Sequence, residues 1–278
     1  MAFSLTQQPP FRLLLAAFLG MPLLALPAQA QDAPGCTLIA DAATGKIMQQ
    51  EGACETRVTA ASTFKIAISL MGYDAGFLKD EHTPVLSFHP GYPAWNPAWR
   101  TDIDPTSWIK NSVFWYSQQV TRSLGEARFQ HYVQAFHYGN EDVSGDPGKH
   151  DGLTDSWNSS SLKISPLEEA AFLEKIAQRT LPVSTHAYDM TDRLTEIATL
   201  PNGWDVHGKT GTGFPRDATG AEDHAHGYGW FVGWATKEGR TLVFVRQIQD
   251  TEAHKDGAGL RAREAFLQKL PALLDQAQ

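Results

Sequence analysis

The chain has 278 residues, of which 42% are hydrophobic, and a formal net charge of −8. This length suffices for one large domain or for two lobes that share a core. The negative charge argues against binding to nucleic acid or to an anionic membrane surface.

The first thirty residues have the features of a secretory signal peptide. Arg12 precedes an apolar run that extends to Leu26, and Ala28-Gln29-Ala30 supplies small residues for cleavage. We therefore expect a leader over residues 1–30, export to the periplasm and a mature chain of residues 31–278 without a membrane anchor. The alternative is an uncleaved anchor, but Gly20 and Pro22 interrupt an apolar run that is short for a membrane span.

Two cysteines bracket a predicted β-hairpin at the start of the mature chain. Cys36 and Cys54 flank two short strand-like segments that are separated by Ala43-Thr44-Gly45. Because disulfides persist outside the cytoplasm, we predict a structural Cys36–Cys54 bridge. A catalytic thiol is the competing interpretation, but neither cysteine has a histidine close to it in sequence.

Ser62-Thr63-Phe64-Lys65 predicts a serine nucleophile with its own base. The apolar residues that follow recur at helical spacing, and residues i and i+3 share one face of a helix. Ser62 Oγ and Lys65 Nζ should therefore lie together. The apolar neighbours of Lys65 favour a desolvated, neutral amine, which can accept the proton of the serine.

The rest of the chain changes from a helical to a strand pattern. Residues 61–200 are mostly helical, and Ser165-Pro166-Leu167-Glu168 predicts a capped helix start. After residue 201 three aromatic and β-branched strands precede a helix over Ala262–Ala277. This pattern predicts an α/β (α+β) fold in which an antiparallel sheet from both chain ends is flanked by helices. The α/β lobe would comprise residues 31–60 and 201–278, with an all-helical lobe, residues 61–200, inserted.

Three further segments supply groups that could act with Ser62. In Lys209-Thr210-Gly211 an ammonium and a hydroxyl flank small residues on a strand, although a solvated lysine beside a bulge is the simpler interpretation. Ser112 could relay a proton or cap a helix. The indole N–H of Trp157 could hold an anion, or the ring could serve for packing. His224 and His226 could share one face of a strand, but the neighbouring Gly220, Glu222 and Asp223 indicate a solvated loop and no metal motif accompanies the pair, so we expect no metal site.

Together these motifs make nearly the whole mature chain resemble the class D (oxacillinase-type) serine β-lactamases. The segments that carry the resemblance are Ser62-Thr63-Phe64-Lys65, Ser112-Val113, Tyr138-Gly139-Asn140, Trp157 with Leu162-Lys163-Ile164-Ser165, and Lys209-Thr210-Gly211. The resemblance implies the penicillin-recognising serine transferase fold. It also implies hydrolysis of the β-lactam ring through an acyl-Ser62 intermediate, which confers antibiotic resistance.

The resemblance also implies a role for each site residue. Lys65 would be carboxylated on Nζ by carbon dioxide and would act as general base for acylation and deacylation, with no metal and no other cofactor. Trp157 would hold the carbamate, and Ser112 with Lys209 would deliver a proton to the β-lactam nitrogen. The residues implied in binding the substrate are Thr210, Gly211, Thr212, Arg261, Phe114, Tyr138 and Asn140. Ser62 and Thr212 would donate the backbone N–H groups of the oxyanion hole, and Arg263 and Arg246 are alternatives to Arg261 for the substrate carboxylate.

The chain departs from the family pattern at two positions. Phe114 stands where the family's S-x-V motif has valine, and Asn158 stands where leucine commonly follows the tryptophan. Two other functions remain open: a D,D-peptidase or transpeptidase, and a β-lactam sensor domain that acylates without efficient turnover. A noncatalytic periplasmic binding protein would not require these motifs together. The sequence does not predict the oligomeric state or the preferred β-lactam.

Overall fold

The computed structural model describes residues 1–2, 35–217 and 219–277. Most of the predicted leader, including its cleavage site, lies outside the described residues. Within the described residues, no helix combines the length and the apolar character that a membrane span requires.

A six-stranded antiparallel sheet forms the centre of the fold. Its strands follow the order β2-β1-β8-β7-β6-β5, and β3 pairs with β4 in a separate two-stranded sheet. The strands are β1 (Gly35–Asp41), β2 (Ile47–Gly52), β3 (Val58–Thr59), β4 (Lys163–Ile164), β5 (Glu196–Thr199), β6 (Asp205–Gly213), β7 (Tyr228–Lys237) and β8 (Arg240–Gln249). Because β1 pairs with β8, both ends of the chain contribute to one sheet, and this prediction is confirmed.

Eight helices cover the two faces of the sheet or lie beside it, among the described residues. They are α1 (Lys65–Asp74), α2 (Pro105–Asn111), α3 (Phe114–Leu124), α4 (Glu126–Phe136), α5 (Gly152–Asp155), α6 (Pro166–Ala177), α7 (Thr185–Thr195) and α8 (Ala258–Gln276). The predicted start of α6 is confirmed, because Ser165 Oγ accepts from Glu168 N and the Glu168 side chain accepts from Ser165 N. Helix α8 continues through Pro271.

The sheet is buried on both faces, which explains the continuous apolar runs in its central strands, residues 38–40 of β1, 228–235 of β7 and 242–245 of β8. Helix α8 packs against β6, β7 and β8, where Phe231, Phe244 and Phe266 form one aromatic core. A larger core on the opposite face joins the sheet to α1 and α6 and extends into the helical region. Strands covered on both faces read as continuous apolar runs.

Two local features differ from the simplest sequence interpretation. A 3₁₀ turn, Ala61–Phe64, precedes α1, so Ser62 lies just before the α-helix. Strand β5 belongs to the main sheet although it lies within residues 61–200. The predicted Cys36–Cys54 disulfide is present, and it ties β1 to the segment that follows β2.

Candidate active site

The predicted nucleophile and its base are in contact. Lys65 Nζ donates a hydrogen bond of 3.0 Å to Ser62 Oγ. The lysine side chain is fully buried, and burial holds its pKa well below the ordinary value, with the nearby Lys209 lowering it further. A buried amine that has lost its proton can accept one from a serine hydroxyl.

A second serine–lysine pair stands beside the first. Lys209 Nζ, on β6, donates 3.0 Å to Ser112 Oγ and 3.1 Å to the Thr210 carbonyl. Burial lowers the pKa of Lys209 to about 7, and Arg263 contributes to the shift. Ser112 adopts a left-handed conformation at the C-terminal end of α2, and Val113, with no side-chain cap, precedes α3. The structure therefore favours a polar contact at Lys209 over a capping role for Ser112.

Strand β6 passes close to the turn that carries the nucleophile. A Cβ at Gly211 would lie 2.9 Å from the Ala60 carbonyl oxygen and 3.2 Å from Ser62 N. Only a residue without a side chain permits this approach, which brings the backbone of β6 beside Ser62. Thr212 Oγ1 accepts 2.9 Å from Gly259 N, so the next residue of the strand is tied to the start of α8.

An aromatic cluster packs against the turn that carries Ser62, where Ala61 N donates to the Trp157 carbonyl at 2.9 Å. Trp157 is fully buried, and its Nε1 has no hydrogen-bond partner among the described residues. Its ring lies 5.5 Å from that of Phe64 and 6.0 Å from that of Phe114. Asn158 Nδ2 donates 3.3 Å to Asp155 Oδ1, so the polar group of this unusual residue is bound to a neighbouring carboxyl.

The chain is similar in sequence and in structure to known proteins of one family. The model of the penicillin binding protein transpeptidase domain matches residues 35–272. β-Lactamase OXA-9 of Klebsiella pneumoniae is 45% identical over 86% of this chain and 88% of its own, and β-lactamase OXA-1 of Escherichia coli is 38% identical over 77% and 75%. The crystal structure of the class D β-lactamase OXA-427 is 47% identical, with a TM-score of 0.83 over 88% of this chain and 100% of the other.

The chain belongs to the class D β-lactamase family. The sequence-based identification and the predicted β-lactamase fold are thereby confirmed.

Two residues of the class D pattern lie away from the serine–lysine pairs. Tyr138 is fully buried behind Phe64, with ring centroids 4.9 Å apart, so it offers no surface to a substrate. Asn140 accepts from Lys163 N at 2.9 Å and donates to the Ser161 carbonyl at 2.8 Å. Asn140 thus holds the segment that follows Trp157, whereas the Tyr138 hydroxyl donates to Glu169, and both contacts differ from the substrate contact that the resemblance implied.

The arginines at the start of α8 have different surroundings. Arg261 Nη2 lies 2.5 Å from Oδ2 of the buried Asp250. Arg263 lines a cavity of about 550 Å³ together with Lys209 and Thr210. No sequence motif indicates the Asp250 partner, since the two residues approach each other only through the loop between β8 and α8. Arg246 lies in β8, where Nη1 donates to Thr37 Oγ1 at 3.1 Å.

The two neighbouring histidines face different groups. His226 Nδ1 lies 2.7 Å from Asp223 Oδ2, whereas the His224 ring packs edge-on against Phe214 at 4.3 Å. Within the part of the chain that the structure describes, no three His, Cys, Asp or Glu side chains form a group able to hold a metal ion.

Proposed function

We propose that this chain hydrolyses β-lactam antibiotics through an acyl-Ser62 intermediate, with Lys65 carboxylated on Nζ. The observation that carries the proposal is the 3.0 Å contact between Ser62 Oγ and the amine of a fully buried lysine. A hydroxyl is a weak nucleophile until an adjacent base accepts its proton. Family membership supplies the substrate class, since the relatives OXA-9 and OXA-1 are named β-lactamases.

The surroundings of Lys65 fit a carbamate. Only a neutral amine reacts with carbon dioxide, and burial lowers the pKa of Lys65 in the required direction. The Nε1 of Trp157 is buried, finds no partner in the described part of the chain and is a donor that cannot accept, so it suits an anionic oxygen. When present, the carbamate would supply the general base for acylation and for the attack of water on the acyl-enzyme.

The other groups of the chain have complementary roles in acylation. Ser62 Oγ attacks the β-lactam carbonyl, and the N–H groups of Ser62 and Thr212 stabilise the resulting oxyanion. Ser112 passes a proton to the β-lactam nitrogen when the ring opens. Lys209 accepts and returns protons readily at neutral pH, since its pKa is about 7 and it hydrogen-bonds Ser112.

We propose that Arg263 and Thr210, and not Arg261, bind the carboxylate of the substrate. Arg261 is engaged with Asp250, and a substrate carboxylate would have to compete with that buried partner. Arg263 lines a cavity with Thr210 and Lys209, whose lining does not include Ser62, and it is close enough to Lys209 to lower its pKa. Export through the predicted leader would place the enzyme in the periplasm, where β-lactams arrive as its small-molecule substrates.

The match to the transpeptidase domain is also consistent with a second function, in which β-lactams acylate Ser62 without efficient turnover, as in a D,D-peptidase or a sensor domain. Burst and steady-state kinetics with a chromogenic cephalosporin, in bicarbonate buffer, distinguish the two. We expect many turnovers per enzyme and no turnover by the Ser62→Ala variant. A burst of one equivalent followed by no hydrolysis would refute the β-lactamase proposal.

A further inference from the structure

A buried carboxyl lies behind the nucleophile turn and has no part in the chemistry proposed above. Glu169, on the first turn of α6, is fully buried. Its Oε2 accepts a hydrogen bond of 2.9 Å from the Tyr138 hydroxyl, whereas Oε1 has no hydrogen-bond partner among the described residues. An ionised carboxylate held by one neutral donor is costly in such a site, so the acid form is favoured.

A continuous set of contacts joins this carboxyl to the catalytic lysine. The Tyr138 ring packs on Phe64 with centroids 4.9 Å apart, and Phe64 packs on Trp157 at 5.5 Å. Phe64 directly precedes Lys65 in the chain. A displacement of the phenol therefore reaches the Trp157 indole and Phe64, and through Phe64 the backbone that carries Lys65, because packed aromatic side chains have little free volume to absorb movement.

We infer that Glu169 is a positioning residue: its protonated carboxyl fixes the Tyr138 phenol against Phe64 and so maintains the Ser62–Lys65 geometry. Ionisation of Glu169 leaves a buried charge with one side-chain donor among the described residues, the Tyr138 hydroxyl. Such a carboxylate draws in water or moves toward solvent, which loosens the aromatic packing around Tyr138 and slows the reaction. The raised pKa of Glu169, about 7, puts this change within a physiological range of pH. The inference deepens the proposed function, on which its kinetic readout rests.

The charged groups around α6 have partners other than Glu169. Burial and the hydrogen bond from Tyr138 are the causes of the shift in the pKa of Glu169, and burial keeps the pKa of Tyr138 itself high. On α6 itself, Glu168 is bonded to Arg57, Glu174 lies near Asp41, and Lys175 donates to the Phe136 carbonyl. On the neighbouring elements, the titratable groups and their partners are Asp41 with Arg240, Arg246 with Thr37, Lys65 with Ser62, and Lys237 with Asp275.

The test compares wild type with Glu169→Gln, which matches the neutral acid in shape and keeps an acceptor for Tyr138. Values of kcat/KM for a chromogenic cephalosporin are measured from pH 5.5 to 9 in saturating bicarbonate. Because both proteins contain Lys209, the effect of its titration on kcat/KM cancels when the value for wild type is divided by the value for the variant. We expect a ratio within twofold of one at pH 5.5 and a fall of at least threefold by pH 8.5, with a midpoint near pH 7.

Two further variants sharpen the comparison. Tyr138→Phe removes the donor that favours the ionised carboxylate. When Tyr138→Phe replaces wild type in the kcat/KM ratio to Glu169→Gln, the midpoint of that ratio should therefore move to higher pH. Glu264→Gln makes the same charge change at an exposed position of α8 and should leave the ratio to wild type constant with pH. A constant ratio for Glu169→Gln, or a variant that does not fold, would overturn the inference.

Near-ultraviolet circular dichroism separates this inference from the proposed function. The signal of the aromatic cluster should change near pH 7 in wild type and not in Glu169→Gln, whether or not the protein turns over a β-lactam. Loss of turnover with this spectral difference intact would count against the proposed function alone. Identical spectral titrations of the two proteins would count against the role of Glu169.

Discussion

Trp157 shows how far one side chain can be understood from its own chemistry. An indole N–H in a loop is usually satisfied by solvent or a carbonyl group, but this one is buried and unpaired among the described residues. Unpaired buried donors are uncommon in folded proteins, and one that packs against Phe64, the residue before the buried Lys65, is a suitable partner for an anion. The Phe114 ring packs against the same indole, with centroids 6.0 Å apart.

Removing the indole donor should weaken carboxylation of Lys65. In Trp157→Phe, the bicarbonate concentration that gives half-maximal kcat should rise about tenfold or more, since a hydrogen bond to a charged group contributes about 1.5–3 kcal/mol. Steady-state bicarbonate titrations measure this value. Trp234→Phe loses a hydrogen bond to Asp192 and serves as the control. An unchanged bicarbonate requirement in Trp157→Phe would argue against its role.

The arginine assignment gives a second prediction for single residues. Arg263→Ala should raise KM for carboxylate-bearing β-lactams about tenfold or more, because a charge-assisted hydrogen bond is lost. Arg261→Ala should mainly lower stability, since it leaves the buried Asp250 without this partner. KM values and thermal melting of both variants test the assignment. A larger KM effect in Arg261→Ala would reverse it.

At the scale of elements, short helices place the polar groups of the site. Helix α2 begins with a capping box between Asp104 and Ser107, and it ends at Ser112 in a left-handed conformation. The cap determines where α2 begins, and the seven-residue length of the helix then determines the position of Ser112 at its end. A change at the start of α2 should therefore reach the pair of Ser112 and Lys209.

Loss of the α2 cap should affect both stability and activity. Asp104→Ala should lower the free energy of unfolding by about 1 kcal/mol or more and should also lower kcat, because α2 carries Ser112. Ser184→Ala removes the N-cap of α7, where Ser184 Oγ accepts from Ala187 N at 3.3 Å, and α7 carries no proposed catalytic residue. Urea unfolding and kcat of the two variants provide the test, and equal kcat values would contradict this dependence.

At the scale of the molecule, the antiparallel sheet holds the site between sequence-distant segments. Ser62 follows the first strands, Lys209 lies in β6, and Arg263 lies in the final helix. The pairing of β1 with β8 and the Cys36–Cys54 disulfide join the two ends of the described fold into this frame. The two cores, one on each face of the sheet, then hold the Ser62 turn close to β6.

Buried titratable groups make the stability of the whole molecule depend on pH. The pKa of Glu169 rises from 4.5 to about 7 in the folded state, so between these values the folded protein keeps a proton that the unfolded chain has released. Its contribution to the free energy of unfolding is therefore full below pH 4.5 and falls as the pH rises to 7, by up to about 3 kcal/mol. Urea unfolding of wild type and Glu169→Gln at pH 4.5 and 8 should show the variant gaining stability relative to wild type. An equal difference at both values would contradict the shift.

The sequence by itself determined the features that depend on local spacing. An i, i+3 relation places Ser62 beside Lys65, the S-P-x-E pattern starts α6, and the apolar strands of both ends predict one sheet. These features follow from the geometry of neighbouring residues, so no long-range information is required.

Only the tertiary structure decided which distant groups meet. Lys209 could have been solvated, yet the fold buries it against Ser112. In the sequence, Glu169 is one of two adjacent acidic residues in the first turn of α6, a pattern typical of an exposed helix start. Its position in the apolar period of α6 is nevertheless consistent with burial. Its partner Tyr138 lies 31 residues away, as Lys209 lies 97 residues from Ser112. Burial and pKa depend on such packing between elements, which a linear pattern does not contain.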